Sequence, residues 1–199
     1  MFGFSKKDKK LLCPIPDERR QWLEHAFDWL VGAFGEDSIR RRKVLIPHHS
    51  DFPIRYDGRH ASALDTVGII ARQMEIDPSE IELFFFRMAS AKLPQGIELS
   101  HIKLLGEERL LENDEQLTDI NTVVFGLGIF NANAAFSTFQ NFRSSGWRKL
   151  GYLTQMDWGY VLALFARLRG DNDPEWAKHL CKNVQSDFTK SSRYLGSAM

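Results

Sequence analysis

The chain has 199 residues, of which 43% are hydrophobic, including 15 Phe and 5 Trp. This content excludes an intrinsically disordered chain, and the length suits one well-cored domain. Lys and Arg together number 26, as do Asp and Glu, so the formal net charge is zero. A general nucleic-acid binder is therefore not expected, because such a protein needs a surplus of positive charge to meet phosphates.

Residues 1–13 are predicted to be a flexible basic tail. Their lysines are followed by no apolar run of the kind found in a signal peptide. Cys13 and Cys181 form no CxxC pair and predict no disulfide framework, which favours a reducing cytoplasm. No stretch of 18 apolar residues occurs, so no membrane span is expected.

The N-terminal half is predicted to combine helices with short strands. Apolar residues recur at helical spacing between Asp17 and Gly35, where the first helix is expected to begin and end. A strand at 44–46 and a helix over 60–74 follow. The run at 81–86 is short, apolar and dense in aromatic residues, which favours a buried strand.

The C-terminal half is predicted to be helical, in three segments: 97–105, 112–139 and 156–169. The centre of the longest segment, VVFGLGIFNANAAF, is apolar or small nearly all round, which is typical of a core helix. Residues 143–152 are predicted as a loop, and a last helix is expected from Pro174 with Asp173 as its N-cap. The predicted fold class is α+β: one predominantly helical domain over 14–199, with a small sheet near its N-terminal half.

The segment IELSHIKLLGEERLLENDEQLTD, residues 97–119, carries the candidate chemistry. Glu98 and His101 are three residues apart and share one face of a helix, as do Glu115 and Asp119 if their segment is helical. Zinc peptidases of the gluzincin type use His-Glu-x-x-His followed by Glu-x-x-x-Asp. Both His and the downstream Glu hold zinc there, and the Glu inside the first motif is the general base.

The chain resembles a family of uncharacterised bacterial proteins with an embedded zincin-like motif. The resemblance rests on CPIPDERRQWLE, on ELSH followed by EQLTD, on FGLGIFNANAAF and on GYLTQMDWGYVLALFA, and it covers most of the chain. It implies a zincin-like domain that acts on peptides or proteins with zinc as cofactor. Glu98 would be the general base, and His101 and Glu115 would be zinc ligands. Asp119 would orient a ligand His through its second ring nitrogen.

The motif departs from the intact pattern at Ile97, which stands where the first ligand His belongs and cannot ligate a metal. Only ten residues, 87–96, separate the predicted aromatic strand from Ile97. Pro94 and Gly96 lie where the active-site helix should already have begun. These features predict an internal deletion, natural or artefactual, that shortens this helix. Two protein ligands are one short of a catalytic zinc site, so weak zinc binding and impaired or absent catalysis are expected.

Three hypotheses remain open from the sequence. The chain is a zinc hydrolase, a non-catalytic binding or structural protein on the same scaffold, or a helical domain with an accidental motif match, since E-x-x-H alone is a weak signal. Another histidine could supply a third ligand, and the candidates are His48, His49 and His60. Asn131 and Asn133 lie in an apolar segment, where buried amides must find hydrogen bonds, and they are predicted to brace the core.

Overall fold

The computed structural model describes residues 11–53, 60–77, 115–141, 144–149 and 151–197. Seven α-helices lie within them: α1 (Asp17–Phe34), α2 (Glu36–Arg41), α3 (His60–Gln73), α4 (Glu115–Val124), α5 (Gly128–Ala135), α6 (Gln155–Arg169) and α7 (Lys182–Ser197). A 3-10 helix spans Glu175–His179, and an antiparallel hairpin pairs β1 (Phe136–Asn141) with β2 (Ser144–Lys149). Of the helices described, none combines the length and the apolarity needed to cross a bilayer.

The predicted α+β class, with a small sheet in the N-terminal half, is wrong, because helices dominate the described residues. The predicted strand at 44–46 pairs with no strand among the described residues. Its Leu45 N–H donates instead to the carbonyl of Gly126, between α4 and α5. The predicted strand at 81–86 lies outside the described residues. The β1–β2 hairpin instead follows α5, where a helix end and a loop were predicted.

Helix α1 confirms the prediction from apolar spacing. It begins at Asp17 and stops before Gly35, whose φ of 82° favours glycine. Its buried stripe comprises Leu23, Ala26, Phe27 and Leu30. Helix α2 follows at once and was not predicted, because its short, charged sequence buries only Ile39 and resembles a solvated loop.

The predicted long helix over 112–139 is broken at Gly126, which divides it into α4 and α5. Gly126 has a φ of 77°, and a Cβ at this position would collide with the Lys43 carbonyl oxygen. The Gln73 side-chain amide fills the same corner, donating to the carbonyls of Lys43 at 2.7 Å and Phe125 at 2.8 Å. The break therefore follows from a close approach of two backbones, which apolar periodicity does not reveal.

Helices α6 and α7 form the largest helix-to-helix contact in the described structure. A Cβ at Gly159 would lie 2.7 Å from the Asp187 carbonyl carbon, so a glycine is needed for this approach. Helix α6 begins with a capping box in which Thr154 and Asp157 each bond the other's backbone N–H, and it ends at the left-handed Gly170. These ends agree closely with the predicted helix over 156–169.

The predicted last helix from Pro174, capped by Asp173, is wrong. That segment forms the 3-10 helix, and the α-helix starts only at Lys182. Asn133 closes the junction between them, donating to the His179 carbonyl and accepting from the Cys181 N–H, both at 2.8 Å. Its bracing role is thereby confirmed, and Asn131 is buried as predicted, with 2% of its surface exposed.

Candidate functional site

The structure describes some of the predicted site residues and not others. Ile97, Glu98 and His101 lie outside the described residues, so their predicted roles remain predictions. Glu115 is the first residue of α4, and Asp119 lies about one turn further along the same helix. Their segment is helical, and residues four apart lie on one helix face.

Asp119 is a fully buried carboxylate whose contacts fix the loop before α6. Its Oδ2 accepts hydrogen bonds from the backbone N–H of Tyr152 at 2.7 Å and of Leu153 at 3.0 Å. Gly151, just before them, has a φ of 86°, and a Cβ there would lie 2.9 Å from the same oxygen. Glycine at 151 therefore lets the loop close over the carboxylate.

Glu115 contrasts with Asp119 in its surroundings. Its side chain is partly exposed, and it makes no hydrogen bond or ion pair with the residues that the structure describes. A carboxylate at the first position of a helix is also favoured by the helix dipole. Among the described residues, no side chain or backbone group occupies the Glu115 carboxylate, and its position at a helix start also has a purely structural explanation.

Arg19, on α1, ties the first turn of α4 to α1 and to α6. Its Nη1 donates to Gln116 Oε1 at 2.7 Å, while Nε and Nη2 donate to the two oxygens of Asp157 at 3.1 and 3.0 Å. The Asp157 side chain is only 2% exposed and that of Arg19 is 27% exposed, so this forked ion pair is partly buried. The contacts join α1, α4 and α6 directly beside Glu115.

Helix α4 also buries an unusual number of polar side chains for a core helix. Thr118, Asn121 and Thr122 have no exposed surface, and the Thr122 hydroxyl donates to the Asp119 carbonyl at 2.7 Å. Buried polar groups are costly unless they are hydrogen-bonded, so an apolar helix would serve packing more simply.

Tyr160, on α6, faces the other side of α1 and is unsuited to proton transfer at neutral pH. Burial is the main cause that raises its pKa far above the usual value, and the hydrogen bond that its hydroxyl donates to Glu24 at 2.6 Å adds to the effect. The phenol therefore stays protonated and ties α6 to α1.

Sequence reasoning missed Arg19, Gln116 and the amides of Tyr152 and Leu153. The pairs that they form span from 33 to 138 residues of sequence, and no local spacing predicts such contacts. One usable signal was Gly151 shortly before the capping box at Thr154, since that pattern indicates a tight turn leading into a helix.

The described residues supply only part of the ligand set that a catalytic zinc site needs. Glu115 supplies one oxygen donor of a kind that zinc accepts, whereas a catalytic site needs three protein ligands. Within the described ranges, no group of three or more His, Cys, Asp or Glu side chains is arranged to hold a metal. A complete donor set would therefore need side chains from outside these ranges, and His101 is the predicted one.

Comparison of the chain with protein-family models, with curated proteins and with solved structures finds no match.

Proposed function

We propose that this chain is a zinc metallopeptidase-like protein of the gluzincin type, impaired by an incomplete set of zinc ligands. The observation that carries the proposal is that two carboxylates on one face of α4 differ in exposure and in hydrogen bonding. Glu115 is partly exposed and unpaired within the described residues, as a metal ligand requires. Asp119 is buried and anchored by backbone N–H groups, as a carboxylate that orients a ligand would be.

The remaining roles are assigned from the motif. His101 would join Glu115 as a ligand, and Glu98 would accept the proton of a water molecule as general base. Zinc, when bound, would lower the pKa of the water molecule that it holds and would polarise the carbonyl group that is cleaved. The substrate class is a peptide or protein, and the proposed setting is the cytoplasm. Ile97 in place of the first ligand His is the reason for weak binding and impaired turnover.

A second candidate is a non-catalytic binding or structural protein on the same scaffold. Its support is that two backbone hydrogen bonds from the loop at 151–153 already account for the burial of Asp119 without a metal. A scaffold that retains α4 for stability would keep this acidic pair after its activity had been lost.

Equilibrium zinc binding separates the two candidates. Zinc affinity would be measured by competition with a chromophoric chelator for the native chain and for His101→Ala and Glu115→Ala. The metallopeptidase-like proposal expects measurable affinity that falls by roughly tenfold or more in both variants. Glu175→Ala is the matched control, because this carboxylate is exposed on the 3-10 helix and should leave zinc affinity unchanged.

The decisive variant is Ile97→His, which restores the missing ligand type. The proposal expects its zinc affinity to rise by at least about tenfold over the native chain, since a third protein ligand completes a catalytic set. If native and Ile97→His chains both fold, as judged by circular dichroism, and neither binds zinc, the non-catalytic candidate is favoured instead.

A further inference from the structure

A closed ring of hydrogen bonds joins the first two turns of α4 to α1 and to the start of α6. On one side, Asp119 accepts from the backbone of the loop at 151–153, which leads directly into the capping box of α6. On the other side, Arg19 donates to Asp157 of that capping box and to Gln116, three residues before Asp119. We call it the Arg19 ring, and its members are Arg19, Gln116, Asp119, residues 151–154 and Asp157.

Asp157 is the member that connects the two sides of the ring. Its Oδ2 accepts from the Thr154 N–H at 2.9 Å and from Arg19 Nη2 at 3.0 Å, while its Oδ1 accepts from Arg19 Nε at 3.1 Å. A buried carboxylate depends on such donors, because it has lost its water. The guanidinium carbon of Arg19 also lies 4.6 Å from the centre of the Trp22 ring. Arg19 therefore reaches Gln116 from a position that Asp157 and Trp22 set.

The place of the Glu115 carboxylate depends on the backbone of the first turn of α4. Among the described residues, no hydrogen bond or ion pair holds that carboxylate itself. The first turn of a helix frays easily, because its N–H groups lack partners within the helix. Leu117 packs in the core, but apolar packing is not directional. The 2.7 Å hydrogen bond from Arg19 to Gln116, the residue after Glu115, supplies a directional contact to this turn.

We propose that Arg19 and Gln116 are positioning residues for the Glu115 carboxylate. The inference rests on the proposed function, since it takes Glu115 as a zinc ligand. It goes beyond that function because it makes zinc affinity depend on a contact between α1 and α4, across 97 residues of sequence, in which neither partner is a ligand. Residues that orient a metal ligand without touching the metal typically change its affinity by about ten- to a hundredfold.

The test is Gln116→Leu in the full chain, followed by zinc competition and, without zinc, by amide hydrogen exchange. Leucine is of similar size and removes the acceptor, while the fork from Arg19 to Asp157 remains. Zinc affinity should fall by roughly tenfold or more. The Asp119 amide, which bonds the Glu115 carbonyl in the regular helix pattern, should exchange about tenfold faster, because the first turn opens more often.

Two further variants separate positioning from a general loss of stability. Gln116→Glu keeps an acceptor for Arg19, and a carboxylate accepts from a guanidinium at least as well as an amide does. Its zinc affinity should therefore not fall, and its Asp119 amide should exchange at the native rate. Gln185→Leu is the matched control on α7, where another partly exposed glutamine donates to the Ala177 carbonyl at 3.2 Å. It should leave both measurements unchanged.

Zinc binding by the native chain distinguishes failure of this inference from failure of the proposed function. If the folded native chain binds no zinc, the proposed function fails and the positioning role falls with it. If the native chain binds zinc, unchanged affinity in Gln116→Leu overturns the positioning role alone. A lower affinity with unchanged exchange at Asp119 also overturns it, because the first turn would then be held without this contact. An equal loss of affinity in Gln116→Glu would do the same.

Discussion

Replacing Asp119 with Ala is expected to destabilise the chain through the loop that its carboxylate holds. The change removes the acceptor of two backbone N–H groups, those of Tyr152 and Leu153. A hydrogen bond to a charged acceptor contributes about 1.5 kcal/mol at the lower end of its range, so two amount to about 3 kcal/mol. The Leu153 amide is buried and gains no water in compensation.

The assay is urea unfolding at neutral pH, followed by circular dichroism. With a urea dependence of about 2 kcal/mol/M, the midpoint should fall by about 1.5 M. Glu115→Ala is the control one turn away on the same helix, and it should change stability by less than about 0.5 kcal/mol because its carboxylate is unpaired among the described residues. Equal, small effects of the two substitutions would refute the anchoring role assigned to Asp119.

Two further predictions concern charged groups elsewhere. Arg19→Lys should lower stability by about 1–2 kcal/mol in the same urea assay, since a lysine cannot reproduce the fork to Asp157 and the bond to Gln116; no loss would mean that the fork is dispensable. For Asp51, burial raises the pKa, but hydrogen bonds, chiefly from Lys43, outweigh it and leave the pKa below its usual value. The stability that Asp51 contributes is therefore present above about pH 4 and lost as pH falls through its lowered pKa. Asp51→Asn should lower Tm at pH 7 and make the fall in Tm towards pH 3 shallower, and an unchanged fall would contradict the assignment.

Local signals in the sequence were sufficient for isolated helices. Apolar spacing and Gly35 marked α1, and the glycine at 170 marked the end of α6. The division of the long apolar stretch at Gly126 could not be predicted, because it depends on the backbone at Lys43, more than 80 residues earlier in the chain. The 3-10 helix after Pro174 escaped prediction for the same reason, since the following junction is held by Asn133 on a distant helix.

In the candidate site, too, the local sequence predicts some features, whereas others depend on residues far away in the chain. The predicted helix over 112–139 placed Glu115 and Asp119 on one helix, as α4 does, and their spacing of four residues then puts them about one turn apart. Their different burial could not be read from spacing, because it depends on the loop at 151–153 that folds over Asp119 alone. Part of the error in the fold class lies at 44–46, because a short apolar run looks the same in a strand and in a segment that, among the described residues, pairs with no strand.

The separation of the His101 and Glu115 side chains tests the zincin-like account most directly. The measurement places cysteines at both positions, His101→Cys with Glu115→Cys, in a chain whose native Cys13 and Cys181 are replaced by Ser. A short bifunctional methanethiosulfonate reagent is then applied, and the products are weighed by mass spectrometry. The account predicts one intramolecular link in the folded chain that is lost in concentrated urea. Two singly attached reagent molecules in the folded chain, with no link, would contradict it.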